Sequence, residues 1–401
     1  MQKVAILTPG FKPVPAVEGG AIEQLIEYII LGNEKHYKYD IDLYTIDSPY
    51  FSKYHYKHTK IIKLSPRPNK YWRFFFGITN EFTNFFKCKK IINYISYEMS
   101  YKYKTNYYDA VLIENNMDVY SMILPKITKE KIYFHLHNNF NCDDPDKTFK
   151  KTKLIINSAD KIIVVSSFLK RKLNAIGARN VEVVPNAVIA KNFNQLTETE
   201  KIALRDKLGI SKADFVFTFV GRVSKEKGID KLLSALLKLK NYDNVKCLII
   251  GDNFFGTSEE SKYLIQLEKM ANRIKDKIVF TGYVQNNELY KFYSISDCVV
   301  IPSQWEEVFG VVALEAMTMK LPVIASLSGG LPDVLFKSKA LLIKRDNKFV
   351  TTLVKDMKNV MDNSSLREEM KCYSFQRSKD FPSNEIEYFD IISRIILNNK
   401  R

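Results

Sequence analysis

Short apolar runs recur along the first part of the chain, each closed by a turn and followed by residues at helical spacing. They lie at 4–8, 41–46, 110–114, 131–136 and 161–165. Apolar strands that alternate with helices predict a parallel sheet covered on both faces, in an α/β fold. The first run leads through Pro9-Gly10 and a loop to Gly19-Gly20, then into a helical pattern over 21–31: strand, glycine loop, helix. The rhythm pauses near Val184-Pro185-Asn186, a charged helical stretch covers 198–208, and the pattern then restarts. Apolar runs return at 215–220, 245–250, 278–281, 298–301 and 322–325, with a helical stretch at 229–239. Two Rossmann-like domains are expected, residues 1–185 and 186–375, their parallel sheets facing across a cleft. Residues 376–401 are expected to form a C-terminal helix that crosses back to the first domain. Ligands of such sheets bind at the carboxyl ends of the strands, so the cleft is the expected site.

Composition sharpens this reading. At 401 residues the chain exceeds one ordinary core. No apolar run approaches the ~18 residues of a spanning helix. The N-terminus reads as a strand and turn rather than a signal peptide. Cys88, Cys142, Cys247, Cys298 and Cys372 are scattered and form no CxxC pair. That points to reduced thiols buried as small hydrophobes in a cytoplasmic protein, with no zinc site. The formal charge of +16 is uneven. Residues 53–104 hold twelve Lys/Arg against Glu81 and Glu98, a net +10, interleaved with Tyr71-Trp72-Arg73-Phe74-Phe75-Phe76 and Phe85-Phe86. Such mixing suits an anionic membrane surface. The plainer alternative is an aromatic core helix with a solvated basic face. Nucleic acid would also accept the charge, but no recognition motif accompanies it, and no nucleic-acid partner is expected.

The candidate chemistry sits at strand ends. Residues 217–228, Phe-Thr-Phe-Val-Gly-Arg-Val-Ser-Lys-Glu-Lys-Gly, close a strand and enter a helix. Gly221 permits a tight turn, and Arg222 and Lys227 place two cations beside a helix N-terminus, an arrangement that favours phosphate. Neither GxxxxGK[ST] nor GxGxxG occurs. Further on, a strand at 298–301, a loop at 302–308 and a helix at 310–319 put Glu307 on the strand-end rim and Glu315 inside the helix. Carboxylates repel phosphate but accept hydrogen bonds from vicinal hydroxyls. Two cations for a diphosphate and two glutamates for two polyols together describe a nucleotide sugar. Asp40-Ile41-Asp42 and Asp144-Pro145-Asp146 are D-x-D strings too short to argue for a metal, and neither metal nor other cofactor is expected.

Residues 302–317, Pro-Ser-Gln-Trp-Glu-Glu-Val-Phe-Gly-Val-Val-Ala-Leu-Glu-Ala-Met, resemble the E-x7-E motif of the family 4 retaining glycosyltransferases, which have the GT-B fold. Arg222 and Lys227 match that family's GR…KG pair, Gly19-Gly20 its N-terminal glycine loop, Val184-Pro185-Asn186 its interdomain VPN and Gly329-Gly330 its later GG. The resemblance covers residues 1–375. It implies that Glu307 meets the donor sugar, Glu315 the ribose, and Arg222 and Lys227 the departing diphosphate. It further implies that Gly19 and Gly20 approach the phosphate or reacting sugar, and that Phe309, Gly310 and Val311 adjoin the donor. The base, expected to be uracil although the sequence does not separate it from guanine, would be held by backbone around Gly282-Tyr283-Val284-Gln285. His137 would face the donor sugar. His135 competes, since alternation puts both on one face, and nearness to the loop favours His137. The implied catalytic set is Glu307, Arg222, Lys227 and His137. Lys320 stands where the family usually has Gly, Asp333 where Glu is common, and Ala187 follows the VPN instead of Gly.

The resemblance thus implies a metal-independent glycosyltransferase of bacterial cell-surface polysaccharide synthesis, capsule included. Its donor would be a UDP-linked sugar, its acceptor a glycan on a lipid carrier bound by residues 1–185, and its place the inner face of the cell membrane. Two other classes remain open at this stage: a catalytically silent GT-B subunit that binds glycan or a partner, and a sugar-nucleotide epimerase.

Overall fold

The computed structural model of the chain describes residues 1–65, 94–140, 145–251 and 258–397. The chain divides into two compact units, Met1–Pro185 with Glu385–Arg401, and Asn186–Asn384.

In the first unit the strands are β1 (Gln2–Leu7), β2 (Tyr39–Ile46), β3 (Thr59–Leu64), β4 (Ala110–Glu114), β5 (Lys131–Leu136), β6 (Lys161–Val164) and β7 (Val181–Val183). They form one sheet in the order β3-β2-β1-β4-β5-β6-β7, and every pairing is parallel. The apolar runs became the central strands: Ile6, Leu112, Phe134 and Ile163 are all buried. The order reverses between β1 and β4, the place where an open parallel sheet leaves a crevice at its strand ends. Asn116 spans that place. Its amide donates to the Pro9 carbonyl at 2.9 Å, while its side-chain oxygen caps the helix Met117–Ile123 by accepting from Asp118 and Val119 N–H.

The helix Ala21–His36 extends past the apolar pattern because its last turn is polar and solvated. It stops at Tyr37, which is left-handed at φ 43 and donates its N–H to the Asn33 carbonyl. The helix Glu385–Leu397 packs against it. Gly32 makes the approach possible, since a Cβ there would stand 2.3 Å from Phe389 Cβ and 2.8 Å from the Glu385 carbonyl oxygen. Tyr39 donates to the Ser393 carbonyl at 3.0 Å, and Lys38 pairs with Asp390 at 2.7 Å. The last helix is therefore part of the first unit's core.

The basic stretch 53–104 is not one element. Thr59–Leu64 is the sheet's edge strand, with Lys60 and Lys63 outward, and Tyr94–Lys102 is a helix. Lys63, Lys102 and Lys104 are paired with Asp47, Glu98 and Asp42. Edge lysines blunt an open strand, which gives these positions a structural reason. The aromatic residues 71–76 and 85–86, with Lys87, Lys89 and Lys90, lie outside the described residues. No helix among those described is long and apolar enough to cross a membrane.

The second unit holds β8 (Phe215–Val220), β9 (Val245–Ile250), β10 (Ile278–Gly282), β11 (Cys298–Ile301), β12 (Val323–Ser326) and β13 (Leu341–Ile343), in the order β10-β9-β8-β11-β12-β13, again all parallel. Its core joins Phe217, Cys247 and Val300 to Leu232, Leu236 and Leu353 from covering helices. The helix Ser364–Ser378 runs across residue 375, and the unit continues to Asn384. Cys247 and Cys298 are buried as expected, but Cys372 is exposed on the polar face of that helix.

Gly32→Leu should separate the two helices of the first unit. Forcing a side chain into such a contact costs about 1–3 kcal/mol, read as a lower urea midpoint. An unchanged midpoint would contradict the close approach.

Candidate active site

The order of the second sheet reverses between β8 and β11, and the loops that leave those two strands meet there. Gly228, left-handed at φ 70, lies against the β11 exit loop: a Cβ would stand 1.9 Å from the Pro302 carbonyl oxygen. Gln304 N–H donates to the Glu226 carbonyl at 2.7 Å. Gly330 N–H donates to the Glu307 carbonyl at 2.6 Å, and a Cβ on Gly329 would stand 2.0 Å from that oxygen. The backbone of Glu307 is thus held by the Gly329-Gly330 turn after β12. This gives the GG pair a steric reason.

Side chains converge on the same point. Lys227 Nζ lies 2.6 Å from Glu307 Oε1, and Ser303 donates its hydroxyl to the same oxygen at 2.5 Å. Both charged groups are largely screened from water, which strengthens the pair. Arg222 follows the Gly221 turn, half-exposed, with Glu226 at 3.8 Å. Gly310 caps the helix Val311–Thr318 in a left-handed conformation, φ 98. Phe309 is buried edge-on against Phe381, with centroids 5.9 Å apart. Glu315, inside that helix, is buried and accepts from the Tyr293 hydroxyl at 2.7 Å. Burial raises the Glu315 carboxyl to about 7 in spite of that hydrogen bond, and Tyr293 is pushed well up by burial and by Glu315. Tyr293 was not anticipated, because nothing in the sequence links two residues on different helices.

A cavity of about 430 Å³ opens beside the carboxyl ends of β8, β9 and β10, lined by Val223, Gly251, Phe280 and Gly282 with residues of the flanking helices. Val284, partly buried, follows this rim. A larger cavity of about 700 Å³ lies at the opposite, amino ends of the strands, where Asp214, Asp297 and Leu321 line it. None of the expected ligands is there, and Arg205 is tied to Asp297 at 3.1 Å. Lys320, unusual where Gly is expected, takes φ 58 and lays its ammonium over the Phe375 ring, 4.5 Å from the centroid.

In the first unit Gly19 and Gly20 bring the chain into the helix Ala21–His36, Gly20 at φ 116. A Cβ on Gly20 would stand 2.1 Å from Glu23 Oε2, so the first turn already holds a carboxyl group of its own. Burial raises Glu23 against its backbone hydrogen bond and Lys12. His135 and His137 do not separate into one core and one facing residue. Both imidazoles meet Glu114, the residue that ends β4, and all three are buried. Among the described residues this is the group whose His and carboxylate atoms, within 4.8 Å of one another, come into reach of a single ion. Glu114 is the residue sequence reasoning missed. Its signal was a lone carboxylate closing an otherwise apolar strand. Of the D-x-D strings, Asp42 spends its carboxylate on Lys104 and Tyr108, each at 2.8 Å, and Asp144 lies outside the described residues.

Residues 200–377 match the family "Glycosyl transferases group 1". The chain is 32% identical over 227 residues to the lipopolysaccharide 1,2-N-acetylglucosaminetransferase of Salmonella typhimurium, 56% of each chain, so it spans little more than half of that relative. It is 24% identical over 394 residues to spore coat protein SA of Bacillus subtilis, 93% of each. The crystal structure of Anabaena HepE in complex with UDP superposes with a TM-score of 0.75 at 16% identity, covering 99% of this chain and 100% of that one. WaaG, a glycosyltransferase involved in lipopolysaccharide biosynthesis, superposes at 0.63 with 14% identity over 99% and 100%. The fold is GT-B, and the residues that match the group 1 glycosyl transferases, 200–377, lie within the second unit.

Glu315 makes a pH prediction. Its folded value, raised from 4.5 to about 7, means the folded chain keeps a proton that the unfolded chain has released in that window. The associated stability is full below pH 4.5 and lost as pH rises through about 7. Glu315→Gln should flatten that slope and exceed wild type above pH 7, by up to about 3 kcal/mol. Thermal midpoints measured from pH 5 to 8 check this, and parallel profiles would contradict it.

Proposed function

We propose that the chain is a family 4 glycosyltransferase that moves a sugar from a UDP-linked donor to a glycan acceptor, with retention of anomeric configuration. The observation that carries this reading is the meeting of Lys227 and Glu307 at the switch point of the second sheet. That pair puts a cation for phosphate beside a carboxylate for sugar hydroxyls, inside the segment that matches group 1 glycosyl transferases.

In this reading the base lies in the cavity beside Gly251, Gly282 and Val284, and its ribose hydroxyls donate to Glu315. Lys227, Arg222 and the helix N-terminus after Gly310 hold the diphosphate, with Phe309 and Val311 flanking that turn. Stabilising the charge on the departing diphosphate is the largest protein contribution, and the two cations, Lys227 held by Glu307 and Arg222 half-exposed beside it, supply it without a metal. The acceptor hydroxyl attacks the anomeric carbon from the face the diphosphate leaves. Its proton passes to the departing phosphate oxygen, and bond formation on that same face keeps the configuration. Glu307 orients the sugar while its own charge is balanced by Lys227. Gly19, Gly20 and His137 serve the reacting sugar from the first unit, which also takes the acceptor.

Relatives support a role in surface polymers: the Salmonella relative is named as a lipopolysaccharide N-acetylglucosaminetransferase, and a Bacillus relative with 30% identity is named for teichuronic acid biosynthesis. A lipid-linked acceptor at the inner membrane face fits that setting, and capsule is one such product. The basic aromatic stretch 53–104 would bring the chain to an anionic bilayer there.

With the donor chosen by thermal shift from a panel of UDP-, GDP- and dTDP-sugars, Arg222→Ala and Lys227→Ala should each lower kcat about 10²- to 10³-fold. Wild-type rates in either folded variant would sink the diphosphate assignment. Glu315→Ala should mainly weaken nucleotide binding, and Glu307→Ala should mainly slow transfer. Calorimetry showing unchanged UDP affinity in Glu315→Ala would refute the ribose contact.

A further inference from the structure

The buried cluster in the first unit has chemistry that the proposed function leaves unused. Glu114 is the register partner of His135 across β4 and β5, and His137 follows on the same face. Glu114 Oε2 lies 2.7 Å from His137 Nε2 and 3.1 Å from His135 Nδ1, and the two rings are 3.9 Å apart. Side-chain exposure is 0% for Glu114 and His135 and 3% for His137. The backbone is fixed as well: His137 N–H donates to Asn115 Oδ1 at 3.0 Å, and Asn115 N–H donates to the His135 carbonyl at 2.8 Å.

These separations describe hydrogen bonds rather than ligands of a shared ion. Two atoms bound to a tetrahedral zinc stand about 3.3 Å apart, wider than the 2.7 Å between Glu114 and His137. A carboxylate only accepts, so the imidazole nitrogen facing it carries the proton. Burial and the neighbouring His135 ring push His137 down to about 4, against the pull of Glu114, so the ring is neutral at pH 7 and has one N–H to place. Burial would raise Glu114, but the two imidazoles outweigh it and hold the carboxyl at about 2. With its proton on Nε2, His137 has a lone pair on Nδ1. That atom is buried and has no hydrogen-bond partner. A buried acceptor of this kind is unfavourable until a donor reaches it.

We propose that Glu114 is a positioning residue that locks His137 in the Nε2–H tautomer, so that His137 Nδ1 accepts a hydrogen bond from a hydroxyl of the donor sugar. The second half rests on the reading of His137 as a residue that faces the donor. His137 then acts as a neutral acceptor that orients the sugar, and neither donates a proton nor carries charge. The backbone latch through Asn115 holds the ring's place, and Glu114 sets which nitrogen is free. A carboxamide at 114 would lose that discrimination, because it offers both a donor and an acceptor.

The test is ¹⁵N NMR of the full chain at pH 7 with labelled histidine, His137 being assigned from the spectrum of His137→Asn. Wild type should show one tautomer, protonated at Nε2. Glu114→Gln should show the two ring nitrogens averaging. Saturation with UDP-glucose or UDP-N-acetylglucosamine, whichever binds more tightly, should shift Nδ1, whereas UDP alone should not. An Nδ1–H or doubly protonated ring in wild type would overturn the lock, as would equimolar zinc retained after dialysis. These outcomes are read on the wild-type chain, and a single Nε2–H tautomer kept in folded Glu114→Gln would overturn the role of Glu114 as well. A locked tautomer with Nδ1 silent under the saturating nucleotide sugar would overturn the hydroxyl contact. The lock is read before any nucleotide is added, so its failure is distinguishable from failure of the donor reading.

Discussion

The ion pair between Lys227 and Glu307, 2.6 Å long, is the interaction around which the second unit's rim is organised. Each partner comes from the exit loop of a different strand, β8 and β11, on either side of the point where the strand order reverses. Neither loop could reach the other with ordinary residues at the contacts. Gly228 sits against Pro302, Gly329 and Gly330 sit against Glu307 and Val308, and a methyl group at any of the three would overlap backbone. The glycines are thus not flexible links. They are places where two backbones touch, and the result is a carboxylate and an ammonium held with little freedom. Preorganised charge of this sort needs no rearrangement when a leaving group develops its own.

The two units solve the same geometric problem with different chemistry. In the second, backbone contacts between glycine turns join the loops. In the first, Asn115 and Asn116 do it with side-chain amides that tie the ends of β1, β4 and β5 together. The pair in the first unit analogous to Lys227 and Glu307 is Glu114 with its imidazoles, buried more deeply and without a permanent cation. One rim presents charge suited to phosphate, and the other a neutral acceptor suited to a hydroxyl.

Much of this was legible in the sequence, and what was not has identifiable causes. The central strands are continuous apolar runs, so Ala110–Glu114, Lys131–Leu136, Phe215–Val220 and Val245–Ile250 stand out at their observed bounds. β3 did not, because an edge strand keeps lysines outward and its polar residues read as part of a charged patch. β7 and β13 are three residues long, too short for any period to show. The spacing of Glu307 and Glu315 was visible because both lie on one short segment. The contacts that set their behaviour, Lys227 on Glu307 and Tyr293 on Glu315, join residues 80 and 22 positions apart. Glu114 with His135 and His137 was hidden for the same reason: strand pairing, not sequence proximity, brings them together.

If Lys227 is shared between Glu307 and a diphosphate, the two side chains must be coupled in nucleotide binding. A double-mutant cycle reads that coupling directly, as the affinity for UDP of wild type, Lys227→Met, Glu307→Gln and the double variant. Lys227→Met should weaken binding. Glu307→Gln should strengthen it, chiefly by releasing the Lys227 ammonium for the diphosphate, and most of that gain should be lost when Lys227 is absent. The resulting coupling should be about 1 kcal/mol or more. Additive effects, with Glu307→Gln equally favourable in both backgrounds, would contradict the shared pair and with it the placement of the diphosphate.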